Sequence, residues 1–252
     1  MISPDHKIIL CENAKTLAYE GALFFMELVN KYIEEKESVN VVLSGGSTPK
    51  VLYYLLSGDD LKNKVDWSKV HLFWGDERAV PPDNDESNYR MVREMLIKGI
   101  EIPEENVHRI KGEEGEGAAD LYRIELTENI SDQKEGIPVF DIIILGMGTD
   151  GHTASLFPES SLLHEKEVSV ASLYVEKLDS TRITITPPVI KAARNILVLI
   201  SGKNKAAAMK EVWEKELSNE KHPIQLVNDC AGKVTWLIDK DAASLLENGS
   251  FS

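Results

Sequence analysis

The run Ile142-Ile143-Ile144-Leu145 constrains the fold more than any other stretch of this chain, because it is β-branched, apolar and free of polar alternation. A strand of that composition suits burial on both faces, as in a parallel sheet between helices. It opens into Gly146-Met-Gly-Thr-Asp-Gly-His152, a glycine-rich loop that carries an acid and an imidazole. In open α/β sheets a loop of this kind leaves the carboxyl end of its strand, where ligands bind.

The same pattern recurs along the chain. Lys7–Cys11, Val39–Leu43, Val70–Trp74, Ile196–Ile200 and Val234–Ile238 are further short apolar runs, and Asn106–Ile110, Val168–Ala171 and the alternating Arg182–Thr186 read as additional strands. Between them, apolar residues at helical spacing predict helices from Ala14 to Glu37, after the Ser44–Pro49 loop, from Ser87 to Ile97, from Ala118 to Asn129, through Ala208, Val212 and Trp213, and from about Ala242. Pro187-Pro188 starts a shorter helix, whereas the rest of Glu159–Ser180 shows no assignable pattern. Alternating strands and helices predict an α/β fold, with a doubly wound, Rossmann-like, mostly parallel sheet and helices on both faces, in a single domain over residues 1–252.

Composition narrows the function. A formal charge of -14 argues against nucleic acid or an anionic membrane as partner. An anionic small molecule then needs local basic groups. No run approaches the ~18 apolar residues of a membrane span, and the N-terminus lacks a basic segment followed by a long apolar one. The two cysteines, Cys11 and Cys230, are far apart, and His6, His71, His108, His164 and His222 have no metal-ligand spacing. We therefore expect a reducing cytoplasm and no metal or cofactor.

In a parallel sheet the loops beginning at Ser44, Gly75, Gly146 and Ser201 should share one edge, and a common crevice if their strands are neighbours. Ser44-Gly45-Gly46-Ser47-Thr48-Pro49 sets glycines and hydroxyls before a helix N-terminus, where free amides attract phosphate, although it lacks the Gly-Lys-Ser/Thr of a Walker loop. It can equally be a simple turn. Gly146-Met-Gly148-Thr-Asp-Gly151 is literally a G-x-G-x-x-G, but the dinucleotide fingerprint needs a helix directly after it, which the sequence through Pro158 does not provide. Asp76, Arg78, Asp150, His152 and Lys205 complete the set. A lysine in the first turn of a helix opposes the helix dipole, and a bound anion would offset that cost.

Together, Leu43-Ser-Gly-Gly-Ser-Thr-Pro49, Trp74-Gly-Asp-Glu-Arg78 with Ser87-Asn-Tyr89, Gly146–Pro158 and Gly202-Lys-Asn-Lys205 resemble the glucosamine-6-phosphate isomerase/6-phosphogluconolactonase superfamily. Gly-His-Thr-Ala-Ser-Leu-Phe-Pro158 is most similar to its lactonase branch. Deaminases of the superfamily carry Asp-Glu-Tyr where this chain has Asp-Glu-Arg78. The resemblance implies hydrolysis of 6-phospho-D-glucono-1,5-lactone in the oxidative pentose phosphate pathway, without cofactor, by a monomer or weak homo-oligomer. His152 is then the expected base for water, oriented by Asp150 or Asp76, with Arg78 or loop amides at the oxyanion. Ser44, Gly45, Gly46, Ser47, Thr48 and Gly148, with Arg78, Lys205 or Arg182, are the expected substrate and phosphate contacts. Arg182 begins a strand rather than ending one, so it enters the crevice only if its side chain reaches across. The alternatives are an amino-sugar phosphate deaminase of the same fold and a non-catalytic sugar-phosphate sensor.

Overall fold

A computed structural model describes residues 2–3, 5–214, 216 and 218–247. In chain order it contains β1 (Lys7–Cys11), α1 (Ala14–Lys36), β2 (Val39–Leu43), α2 (Ser47–Leu56), β3 (Val70–Trp74), β4 (Asp76–Arg78), α3 (Asn88–Met95), β5 (Val107–His108) and α4 (Ala118–Asn129). The short strands β6 (Gln133–Lys134) and β7 (Ile137–Pro138) form a hairpin before β8 (Ile142–Gly146). Then come β9 (Val170–Val175), β10 (Ser180–Ile185), α5 (Pro187–Ala192), β11 (Asn195–Ile200), α6 (Ala206–Glu214) and β12 (Lys233–Asp239).

Seven strands make the main sheet, in the order β1-β12-β11-β8-β2-β3-β5, and all its pairings are parallel. The continuous apolar runs are its centre: Ile142 to Leu145 and Asn195 to Ile200 are buried throughout. Each such aliphatic side chain contributes about 1.5–3 kcal/mol over its exposed state, which is why these strands occupy the middle of the sheet. From β2 the chain proceeds outward through β3 to β5, and from β8 it proceeds the other way through β11 to β12. The β2/β8 boundary is therefore a topological switch point, where strand-end loops diverge and leave a crevice.

Local signals account for the helix ends. The Asn13 side chain accepts from the amides of Lys15 and Thr16 at the start of α1, and α1 closes at Glu37 in the left-handed region, with φ 67°. At the opposite edge from the crevice, the buried Asp141 carboxylate takes Lys36 Nζ at 2.6 Å, Arg194 Nε at 3.3 Å and the Asn40 amide at 3.0 Å.

Two features differ from expectation. The stretch after Trp74 is not a simple loop: Asp76–Arg78 pairs antiparallel with β10, which also pairs with β9, in a second, three-stranded sheet. The helix expected from Ala242 is absent among the described residues, where the chain after β12 runs in turns. The Asp239 carboxylate accepts from the Ala242 amide at 2.8 Å and its carbonyl from the Ala243 amide at 3.0 Å, a helix-start arrangement that continues only as turns.

Candidate active site

The loops after β2, β8 and β11 and the strand β4 meet in one cavity of about 300 Å³, lined by Ser44 to Pro49, Asp76, Arg78, Asn88, Gly146 to Thr149, His152, Ala154, Leu199 to Ser201 and Lys205. Strand order explains the meeting. β2 and β8 are neighbours at the switch point, β11 flanks β8, and β3 flanks β2 and leads directly into β4.

The Ser44–Thr48 loop is held from behind by Tyr53. Its buried hydroxyl donates to the Ser44 carbonyl and accepts from the Ser44 amide, both at 3.0 Å. Burial is the main reason why the Tyr53 hydroxyl titrates far above the ordinary phenol range. Gly45 is required by a close approach: a Cβ there would stand 2.0 Å from Asn88 Oδ1. Beyond it, α2 starts without a side-chain cap at Gly46, so its first amides have no side-chain acceptor.

The Gly146–Pro158 loop is built differently. No α-helix follows it directly; the Gly148 amide bonds the His152 carbonyl at 2.8 Å, Thr153 Oγ1 donates to the Gly146 carbonyl at 2.9 Å, and Ala154 takes a positive φ of 48°. The Asp150 carboxylate accepts from the His152 amide at 3.2 Å and stands 2.6 Å from His152 Nδ1. An ionised carboxylate can only accept, so Nδ1 carries a proton, and in the neutral ring the lone pair is on Nε2. The pair folds over Gly148, where a Cβ would lie 2.1 Å from Nδ1. Any larger residue at Gly148 would therefore have to displace the His152 ring.

Asp76 does not reach His152. Its carboxylate accepts from Ser155 Oγ at 2.7 Å and Asn88 Nδ2 at 3.2 Å, which ties the β8 loop to β4 and α3. The adjacent Glu77 is buried and accepts from the amides of Arg78, Asn88 and Tyr89 and from Ser87 Oγ. Burial nevertheless pushes its carboxyl above the usual range. Glu77 thus anchors the start of α3, and with it Asn88.

Basic groups gather at this edge. Lys205, in the turn after Gly202, lines the cavity and is held below the ordinary lysine range by burial, with Asp150 acting in the opposite direction. Arg182 is paired with Arg78 in the β4–β10 register but does not line the cavity. Arg78 Nη1 donates to the Glu86 carbonyl, while Nε of both arginines is buried without a partner. Burial, then the charge of Arg78, lowers the Arg182 guanidinium.

The structure thus gathers Ser44, Gly45, Gly46, Ser47, Thr48, Asp76, Arg78, Gly148, His152 and Lys205 around one cavity, and sets Asp150 behind His152. Sequence reasoning missed the supporting groups. Asn88, Ser155, Lys177 and Asp239 come from four separate segments, and Asp239 holds Ser201 Oγ and the Gly202 amide in place. The chain carried a signal for Asn88 and Ser155, since both sit inside recognised motifs. Elsewhere, His71 Nδ1 stands 3.1 Å from His108 Nε2, and His108 Nδ1 2.7 Å from Glu125, at the β5 edge. Among the described residues, no group of three or more His, Cys, Asp or Glu could hold a metal ion, and no helix is long and apolar enough to cross a membrane.

Comparison with known proteins places this site in context. A family model described as glucosamine-6-phosphate isomerases/6-phosphogluconolactonase matches residues 12–236. A 6-phosphogluconolactonase of Haemophilus influenzae is 40% identical over 217 residues, spanning 85% of this chain and 90% of the relative. The structure of 6-phosphogluconolactonase from Trypanosoma cruzi superposes with a TM-score of 0.86 at 32% identity, over 98% of this chain and 99% of its own. A monomeric glucosamine-6-phosphate deaminase reaches 0.79 at 23% identity, over 95% of this chain and 99% of its own, a likeness of fold alone.

Proposed function

The chain belongs to the glucosamine-6-phosphate isomerase/6-phosphogluconolactonase family, and on that premise we infer that it hydrolyses 6-phospho-D-glucono-1,5-lactone to 6-phosphogluconate in the oxidative pentose phosphate pathway. It is an enzyme acting on a cyclic carboxylic ester. The observation that carries this reading is the joining of two different loops in one cavity. One presents the uncapped start of α2, and the other presents an imidazole whose Nδ1 is tied to a carboxylate.

In this reading His152 Nε2 takes a proton from water as its oxygen attacks C1 of the lactone. Loop amides or Arg78 stabilise the oxyanion that develops on the former carbonyl oxygen. Collapse breaks the bond from C1 to the ring oxygen, which leaves as the C5 hydroxyl after taking the proton from the imidazolium. One water is consumed, and the proton returns to substrate, so the site regains its starting state. General acid–base assistance of this kind contributes about 10²–10⁴-fold.

The 6-phosphate is held by Ser44 to Thr48 at the start of α2 together with Lys205, and Arg78, which lines the same cavity, adds guanidinium donors. Phosphate affinity is thereby converted into orientation of C1 against His152. We place the enzyme in the cytoplasm, without cofactor, as a monomer or weak homo-oligomer whose residues 1–252 act as one domain.

Lactone hydrolysis measured above the buffer blank, in parallel with deamination of glucosamine 6-phosphate, tests the assignment. Acceleration of the first reaction alone is expected. Deamination without lactone hydrolysis would reassign the chain to the other branch, and binding of 6-phosphogluconate without either turnover would make it a sensor.

A further inference from the structure

Asp150 divides its carboxylate between two partners. Oδ1 faces His152 Nδ1 at 2.6 Å, and Oδ2 faces Lys177 Nζ at 2.5 Å. The Phe157 ring joins the same group: its centroid lies 4.6 Å from that of the His152 ring and 4.6 Å from Lys177 Nζ. Lys177 belongs to no motif. It is delivered by the short 3-10 turn Glu176–Leu178 between β9 and β10, which reverses at Asp179 with φ 45° and is braced by the Tyr174 hydroxyl on the Asp179 carboxylate. The hairpin that carries Arg182 thus also brings a cation behind the acid–base pair.

We propose that Lys177 is a positioning residue that keeps Asp150 ionised and aimed at His152 and offsets its charge, so that the imidazole remains available to take a proton. This rests on the reading of His152 as the base. A carboxylate alone beside an imidazole favours the imidazolium, and an imidazolium cannot accept a proton from water. A cation on the far oxygen cancels part of that bias while the Nδ1 hydrogen bond stays intact. Burial would raise the Asp150 carboxyl, yet the hydrogen bond from Lys177, followed by the charge and hydrogen bonds of His152, holds it well below the usual range. Lys177 is half exposed, so the ion pair adds little to stability. Its effect must be sought in the proton chemistry.

Other charged and titratable groups also face the pair. Lys205 comes from the turn before α6 and feels Asp150, and Asp76 and Arg78 come from β4 on the cavity wall. His222 lies against Gly151, with its Nε2 3.2 Å from Glu211. All of them remain in a Lys177 variant, so the difference from the parent isolates one charge.

The test compares K177M and K177R with the parent enzyme in the pH profile of kcat/KM for the lactone, above the buffer blank, and in a ¹⁵N-histidine NMR titration of His152. In K177M the acid limb should move upward by roughly half to one pH unit. Activity on that limb then falls about three- to tenfold and recovers toward the plateau, while K177R restores the parental limb. An unmoved limb overturns the proposal, whether the rate is unchanged or falls uniformly as for a mere brace. NMR separates this failure from that of the underlying reading: a His152 resonance titrating at the parental pH in K177M removes the coupling. Turnover retained by H152A would instead remove the base itself.

Discussion

β8 has an aspartate at each end, and the two are used in opposite ways. Asp141, just before the strand, is fully buried and closed off by Lys36, Arg194 and the Asn40 amide. Asp150, just beyond the other end, is one-third exposed and passes from Lys177 to an imidazole that borders a cavity. Removing either aspartate deletes an ion pair, but only the second pair includes a group with a free lone pair. The comparison teaches that a buried charge closed by partners is architecture, whereas a charge linked to a titratable group open to a cavity is chemistry.

The largest expected effect is at the cavity end. Replacing His152 by Ala should lower kcat by about 10³-fold or more while 6-phosphogluconate binds with nearly unchanged affinity. Asp150→Asn should follow with a fall of roughly 10²-fold, because a neutral amide neither fixes the Nδ1–H tautomer nor supports the imidazolium. Next, Thr48→Ala and Lys205→Ala should raise KM roughly tenfold with a smaller change in kcat, as expected for the loss of one hydrogen bond to a charged group. If these variants kept full affinity for 6-phosphogluconate in calorimetry, the phosphate would lie elsewhere.

The opposite end sharpens the contrast. Asp141→Asn should leave both kinetic constants within about twofold, yet lower unfolding free energy by about 1–3 kcal/mol in urea titration, because charge-assisted hydrogen bonds to a buried carboxylate are lost. An equally large loss of turnover would erase the distinction between the two ends. The smallest effect concerns acid stability. The folded-state pKa of Asp150 is depressed, so its contribution is present above the ordinary carboxylate value of ~3.9 and is lost as pH falls through the folded value. The Tm difference between the parent and D150N should therefore shrink as pH falls below about 4.

Much of the architecture was legible because parallel strands buried on both faces appear as continuous apolar runs. β2, β3 and α4 have the bounds expected from sequence, Val39–Leu43, Val70–Trp74 and Ala118–Asn129. The second sheet was not legible. Asp-Glu-Arg78 has no strand pattern of its own, and its extended form depends on pairing with residues about a hundred positions later. The C-terminal helix begins but does not propagate: Asp239 caps the Ala242 amide, and the bonds that follow, Ser244 to Asp241 and Leu246 to Ala243, are three-residue turns. At the site, loop convergence followed from the parallel sheet. Which acid meets His152 did not, because Asp76 and Asp150 both belong to converging loops and only the folded backbone assigns Asp76 to Ser155. Lys177 lay in the one long stretch without readable periodicity.

The most direct measurement is the initial rate of 6-phosphogluconolactone hydrolysis by H152A, with the spontaneous rate subtracted, alongside its affinity for 6-phosphogluconate. The account predicts a rate about 10³-fold or more below that of the parent, with product affinity preserved. A folded H152A enzyme that still accelerates hydrolysis as the parent does would contradict it.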